Sequence, residues 1–306
     1  MNTKTIFLFL FLITTFKIFA YPIEPRPLRK LIIESENIVY AKVKDIKENK
    51  LAKPSDWNNS HIAILVIQEV LQGKLNTQTI EVYFSPEFSC PMPAHYKKGT
   101  TVLAFLDKNK DEEGYKTHAL SYGAKILKKE KYSIYKNRII EMQKILEIKD
   151  ENEKKIKTTD WLVDCSLDPV TREEGIFDLT SNTNFMYFAE DTNKKPTYEF
   201  ELNEIQKNKL RAAFFAAKKI DTLDLEMVDL VKKENDKELL DFLILNFKKQ
   251  NEKENVGDQF MMMKIADLTN RNDLKQIIKK SYDTEIFDKD YFKIQKQIVK
   301  EFVSKL

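Results

Sequence analysis

Hydrophobic residues follow two different spacings along the chain. Between residues 38 and 121, short runs rich in Val, Ile, Tyr, Phe and Thr alternate with turn residues such as Gly73, Gly99 and Gly114, which is typical of β-strands. The run 63–67 is apolar on both alternating faces, which favours a central strand that bends around a small closed barrel. A short apolar helix is predicted at 28–36, and strands are predicted at 38–47, 61–72, 79–85, 100–107 and 115–121.

Beyond these runs the apolar spacing changes to that of a helix. It first does so between residues 132 and 148, and from residue 197 to the end the chain has no Pro and a single Gly, Gly257. Short helices joined by short loops pack as antiparallel neighbours, so we expect a bundle or a short helical stack. The predicted C-terminal helices span 202–219, 223–233, 237–249, 258–268, 273–282 and 288–306.

A charged segment, residues 149–157, separates the two patterns and predicts a domain boundary. After it, Thr159 and Asp160 are typical of a capped helix start, and Asp168 and Pro169 predict a second short helix. The predicted class is α+β, with a five-stranded barrel followed by a helix and then an all-α domain. The expected organisation is a barrel domain at 21–149, a junction at 150–198 and a helical domain at 199–306.

Composition argues against a nucleic-acid partner. The 306 residues carry 51 Lys and Arg against 48 Asp and Glu, and the two signs are interleaved along the chain. A nucleic-acid surface requires positive charge gathered on one face or segment, whereas this pattern is typical of a solvated surface of mixed charge.

The first twenty residues have the features of a signal peptide. Lys4 precedes the apolar run 6–13, and a small residue, Ala20, ends the segment at the expected cleavage point. The run is too short for a membrane span of about 20 residues, and no later segment is apolar enough to be one. We therefore expect a product exported to the periplasm or secreted after cleavage near Ala20, with no transmembrane span in the mature chain.

Export changes the interpretation of the two cysteines, Cys90 and Cys165. In an oxidising compartment an even number of cysteines favours a disulfide, and closing this loop would stabilise the fold by about 4 to 5 kcal/mol. The alternative is a reactive thiol at Cys90 assisted by His95. The disulfide is preferred because the chain has no CxxC motif and no third residue placed to orient His95.

Several segments in the first half resemble the netrin-like module, the OB-type barrel of tissue inhibitors of metalloproteinases and bacterial secreted relatives. The resemblance covers residues 30–148 and is carried by segments 35–43 and 66–74, by Cys90 and Pro91 with 96–100, and by 103–105. It implies an OB-like barrel. Those inhibitors chelate zinc through an N-terminal Cys, but Tyr21 would be the N-terminus here, so the resemblance does not imply zinc-chelating inhibition. The remainder, including 161–165 and 171–175, resembles exported proteins of flavobacterial type.

Residues that carry chemistry are few. His61, His95 and His118 form no metal-binding motif, and the chain lacks a nucleophile elbow and a phosphate-binding loop, so no catalytic residue, metal or cofactor is predicted. Arg172 and Glu174 form either a recognition pair or, preferably, a salt bridge at the domain junction. The candidate binding residues are Cys90, Pro91, Pro93, His95, Tyr96, Arg172 and Glu174.

These observations predict an exported, non-enzymatic binding or scaffolding protein. Its barrel would present its loops or its open face to a protein or a glycan of the cell envelope or extracellular space, and the helical domain would add a second surface. One alternative is an exported enzyme that uses the loop with Cys90 and His95. A second alternative is a structural component of the cell envelope.

Overall fold

A computed structural model describes residues 26–52, 59–87, 92–110, 113–180, 199–217, 220–254, 259–285 and 287–306. The chain divides into two compact units, one that ends at Ile139 and one that runs from Ile140 to Leu306. The predicted signal peptide and its cleavage site lie outside the described residues.

The first unit contains the strands and the second contains most of the helices. The strands are β1 (Asn37–Glu48), β2 (His61–Gln72), β3 (Thr79–Phe84), β4 (Thr101–Lys108), β5 (Tyr115–Thr117) and β6 (Ala124–Ile126). The helices are α1 (Leu28–Glu34), α2 (Lys129–Leu146), α3 (Glu151–Leu167), α4 (Arg172–Leu179), α5 (Glu204–Phe215), α6 (Thr222–Glu226), α7 (Val228–Val231), α8 (Lys237–Glu254), α9 (Gln259–Thr269), α10 (Asn272–Tyr282) and α11 (Tyr291–Lys305).

The strands form a closed barrel in the order β1-β2-β3-β5-β4, and β4 pairs back with β1. All of these pairs are antiparallel except β3 with β5, which is parallel. The short β6 pairs with β4 beside β5. The α+β class, the five-stranded closed barrel and the C-terminal helical region are thus confirmed, and the barrel is OB-like in its strand order. The resemblance to the netrin-like module stays a prediction.

The barrel closes because β1 bends. Three register shifts interrupt its pairing with β2, and such irregularities increase strand twist and curvature. The interior is filled by small and branched residues, among them Val39, Val43, Ala63, Leu65 and Val82, all without exposed surface. The interior of the closed barrel is therefore packed with side chains.

The barrel wall is also covered from outside. Tyr40 of β1 stacks on Tyr132 of α2 with ring centroids 3.6 Å apart, and the Tyr132 hydroxyl donates a 2.5 Å hydrogen bond to Oε2 of Glu69 on β2. Lys136, one turn farther along α2, pairs with the same carboxylate. Burial and the Glu69 carboxylate raise the pKa of Tyr132, so this hydroxyl remains a donor and fixes α2 against the barrel.

One helix of the second unit begins earlier than the sequence predicts. The helix expected to start near Thr159 begins instead at Glu151, and Thr159 lies buried in the middle of α3. The reason is that the Asp150 side chain accepts a 2.8 Å hydrogen bond from the backbone N–H of Glu153 and caps the helix about two and a half turns earlier. The charged segment is thus the exposed first part of α3, and the helices α3 and α4 pack with α5 and α6 in the second unit.

Helices α3 and α4 approach very closely at Gly175. A Cβ atom at this position would lie 2.4 Å from Ser166 Oγ and 2.5 Å from the Leu162 carbonyl oxygen, so the contact requires glycine. The helices from α5 onward follow the predicted order, except that the helix expected at 223–233 is divided into α6 and α7. None of the helices in the described part of the chain is long and apolar enough to cross a membrane.

Candidate functional site

The predicted binding loop is described from Met92 onward, and Cys90 and Pro91 lie outside the described residues. Within segment 92–97, Pro93, Ala94 and Tyr96 are buried, whereas Met92 is 61% exposed and His95 is exposed. Buried and exposed positions therefore divide the segment into anchors and projecting side chains. We call residues 92–97 the rim segment.

Two contacts hold the rim segment on the barrel. The Tyr96 hydroxyl lies 2.7 Å from Thr117 Oγ1 at the end of β5, and its ring packs edge-on against Phe84 with centroids 5.1 Å apart. Burial raises the pKa of Tyr96, although the hydrogen bond with Thr117 acts in the opposite direction. The carbonyl oxygen of Met92 accepts a 3.3 Å hydrogen bond from the N–H of Ser121. Tyr96 is thus an anchor, and the side chains left for a ligand are Met92, His95 and Lys97.

The backbone before Ser121, whose N–H donates the hydrogen bond to the Met92 carbonyl, has an unusual conformation. The strand predicted to reach residue 121 ends at Thr117, because Ala119 and Leu120 both adopt left-handed conformations with φ of 51° and 52°. Such a conformation costs about 1 to 2 kcal/mol for each residue with a Cβ atom. Gly123 closes the turn, since a Cβ there would lie 2.0 Å from the His118 carbonyl oxygen. We call residues 118–123 the corner; its conformation is maintained by tertiary contacts against local preference.

His118 starts the corner and lies between two carboxylates. Its Nδ1 is 2.7 Å from Asp107 Oδ2 on β4, and its Nε2 is 3.1 Å from Glu34 Oε2 at the end of α1. Arg26 reaches the same Glu34 oxygen at 2.9 Å. The hydrogen bond to Asp107, supported by Glu34, raises the pKa of His118 against the effect of burial. The imidazole therefore joins α1, β4 and the corner.

A second polar group lies at the start of β2. Ser60 Oγ is 2.9 Å from Nδ1 of His61 and donates a 2.8 Å hydrogen bond to Glu87 Oε2. Glu87 Oε1 is also 3.4 Å from the same Nδ1. A catalytic triad requires the acid and the nucleophile on opposite nitrogens of the histidine, and here both groups face one nitrogen. This arrangement does not activate the serine, and it does not include His118.

Arg172 and Glu174, which the sequence predicts to act as a pair, lie in different environments. Arg172 Nε donates a 2.8 Å hydrogen bond to Asp224 Oδ1 on α6, and Asp224 is only 4% exposed. Glu174 is buried on α4 at 8% exposure. Two residues apart on a helix do not face each other, and the guanidinium is used within the helical unit. The geometry therefore favours a structural role for Arg172 over recognition.

Cys165 is fully buried on α3. No disulfide is present among the residues that the structure describes, and the expected partner, Cys90, is outside them. The disulfide between Cys90 and Cys165, and the alternative of a reactive Cys90, both stay predictions.

The most buried ion pair of the helical unit was not predicted from the sequence. Arg211 on α5 forms two hydrogen bonds with Asp236, of 2.5 and 2.8 Å, and a third of 2.8 Å with Glu238. The Arg211 and Asp236 side chains are 8% and 3% exposed. Burial disfavours the charged carboxylate, but hydrogen bonds from Arg211 and from the N–H groups of Lys233 and Leu239 outweigh it and hold the pKa of Asp236 at about 2.

No group of three or more His, Cys, Asp or Glu side chains in the described ranges has a geometry suited to a metal ion. No protein-family model matches this chain, and no curated protein matches it by sequence. What the barrel surface does must therefore be inferred from its own geometry.

Sequence reasoning found the rim segment from its prolines and cysteine but missed the corner and the charge cluster of His118. Ala119 and Leu120 carry no signal for left-handed backbone, because glycine, Asn or Asp is the usual residue there. The partners of His118 lie 11 and 84 residues away in sequence, so no local motif marks them.

Proposed function

We propose that the protein is exported and acts by binding another protein through the rim segment. The observation that carries the proposal is that one short segment is anchored by three buried side chains while Met92 and His95 project from it. A fixed backbone loses little conformational entropy on binding, which is the main advantage of a preorganised surface.

The projecting side chains favour a protein partner over a glycan. Met92 is flexible, polarizable and 61% exposed, and methionine is enriched at protein interfaces. His95 adds a polar group that can donate or accept a hydrogen bond. The helical unit would then supply a second binding or scaffolding surface.

The test uses the chain from residue 21 onward, the form expected after cleavage, as bait for cross-linked capture from an envelope extract of the native host. We expect the double variant Met92→Asp/His95→Asp to lose the captured protein, because it replaces the projecting side chains. Both changes leave the buried anchors intact, so the loss can be assigned to the replaced side chains. The matched control is Ile205→Asp, which changes a side chain that is 70% exposed on α5 and should leave capture unchanged.

Two results would contradict this function. Equal capture by the double variant and the wild type would remove the rim segment from the interface. Capture that survives protease treatment of the extract but not periodate oxidation would identify a glycan. Separately, the intact mass of the exported protein tests cleavage near Ala20, and alkylation of Cys90 in the native protein would favour the enzyme alternative.

A further inference from the structure

The last helix of the chain has two faces with different roles. Ile298, Val299 and Phe302 are buried, and the Phe302 ring packs edge-on against Phe247 of α8 with centroids 5.5 Å apart. The opposite face carries three exposed lysines, which we call the lysine stripe (Lys293, Lys296 and Lys300). Their spacing of three and four residues places them on one side of the helix within two turns.

The positive charge of this stripe is not neutralised. None of the three lysines forms an ion pair with another described residue. The acidic residue within the helix, Glu301, is paired with Lys280 of α10 through hydrogen bonds of 2.7 and 2.8 Å. Asp288 and Asp290 precede the helix, but Lys296 and Lys300 lie about one and a half to three turns farther along it.

Two phenylalanines near the start of this helix are exposed to solvent. Phe287, in the turn before the helix, is 99% exposed, and Phe292, in its first turn, is 77% exposed. An exposed Phe side chain does not gain most of the roughly 1.5 to 3 kcal/mol of stabilising free energy that its burial would contribute. Phe292 and the three lysines line one open, shallow depression of the surface, so an aromatic group lies next to unpaired positive charge on an amphipathic patch.

We propose that the lysine stripe, with Phe287 and Phe292, binds the surface of an anionic lipid membrane. Lysines attract phosphate-bearing headgroups, and aromatic side chains enter the boundary between headgroups and acyl chains. The stripe covers only two turns of one helix, whereas single-stranded nucleic acids are bound along a continuous charged groove. The proposal is independent of the rim segment, which belongs to the other unit.

The experiment measures co-sedimentation of the chain from residue 21 onward with vesicles of phosphatidylcholine and phosphatidylglycerol in equal parts, at low salt. The variant Lys293→Gln/Lys296→Gln/Lys300→Gln should bind on the order of 100-fold more weakly. Phe292→Ser should weaken binding about tenfold. Binding of the wild type should fall as salt is added, because exposed charges are screened.

The matched control is Lys149→Gln/Lys155→Gln/Lys157→Gln, which removes the same charge from exposed positions at and before the first turns of α3. This control should bind as the wild type does. Equal losses in the two triple variants would reduce the effect to net charge and overturn the proposal. So would absence of wild-type binding, equal binding to pure phosphatidylcholine, or stripe-dependent binding of an RNA oligonucleotide without binding of vesicles.

Discussion

The two units of this protein differ in the interactions that hold their strands and helices together. In the barrel the backbone hydrogen bonds are satisfied around a closed sheet, and the interior is filled by apolar side chains such as Leu65 and Val82. In the helical unit, short helices such as the five-residue α6 and the four-residue α7 have little stability of their own. There, nearly buried ion pairs add to an apolar core that includes Leu210 and Phe214, and they hold the helices to one another and to their connecting loops.

The difference predicts where each unit is vulnerable. A closed sheet filled with hydrocarbon is sensitive to loss of volume, whereas helices joined by buried charges are sensitive to loss of one partner. Hydrogen–deuterium exchange resolved by mass spectrometry can follow the two units separately, and the buried Trp161, at 3% exposure, reports on the second unit once the other tryptophan, Trp57, is replaced by Phe in every variant.

The largest effect is expected from Arg211→Leu. This change leaves the buried carboxylate of Asp236 without its cation and should destabilise the helical unit by about 3 to 5 kcal/mol. Denaturant unfolding followed by Trp161 fluorescence measures the loss. Lys207→Leu on the same helix breaks an exposed pair with Glu204 and should change stability by less than about 0.5 kcal/mol. If the two variants unfold alike, the buried pair does not stabilise this unit.

Leu65→Ala should damage the barrel instead. Leu65 is fully buried in the barrel interior, and truncating such a leucine costs about 2 to 5 kcal/mol through lost burial and a residual cavity. Exchange should accelerate in β1 and β2 while the peptides of α8 to α11 keep their protection. Leu51→Ala, at a position 86% exposed, is the control and should behave as the wild type. Loss of protection in both units would contradict their separate stabilities.

Acid should weaken the helical unit through Asp236. Its pKa of about 2 in the folded state lies below the ordinary value of 3.8, so its stabilising effect is present above pH 4. That contribution, about 2 kcal/mol, is lost as the pH falls from about 4 towards 2. The measurement is the denaturation midpoint of Trp161 fluorescence across this range, in the wild type and in Asp236→Asn. A wild-type slope that persists unchanged in the variant would exclude Asp236 as its source.

The barrel should respond to pH in the opposite direction. The folded-state pKa of His118 is raised by Asp107 and Glu34, so its stabilising effect is complete below the ordinary pKa and is lost as the pH rises through the raised value. We expect the protection factors of α1 and the corner, which correct the exchange rates for the intrinsic effect of pH on amides, to fall on the alkaline side, with no such fall in His118→Gln. Titration of the imidazole by NMR gives the pKa directly; a value at or below 6.5 would contradict the geometry.

The smallest expected effect is a gain of stability from Ala119→Gly. Glycine adopts the left-handed conformation of residue 119 freely, but it also increases the entropy of the unfolded chain. The balance predicts stabilisation of the barrel by less than about 1 kcal/mol. Ala124→Gly, in the extended β6, is the matched control and should destabilise slightly instead. A loss at both positions would show that the corner is not strained.

The amino-acid sequence alone determined the α+β class, the order of strands and helices and most of their bounds. Strand β2 was predicted residue for residue at 61–72, and α10 within one residue. These features depend on the period of apolar residues and on nearby turn and cap residues, which are local properties. The rim segment was also recognised, because prolines and a cysteine mark it.

Only the tertiary structure decided the early start of α3, the left-handed corner and the partners of the charged residues. Two of the partly buried pairs are brought together over long separations, 52 positions for Arg172 with Asp224 and 84 for His118 with Glu34. In a chain with 51 basic and 48 acidic residues, every basic residue has many acidic residues with which it could pair. Which acid it meets depends on how whole elements pack, and local spacing carries no information about that choice.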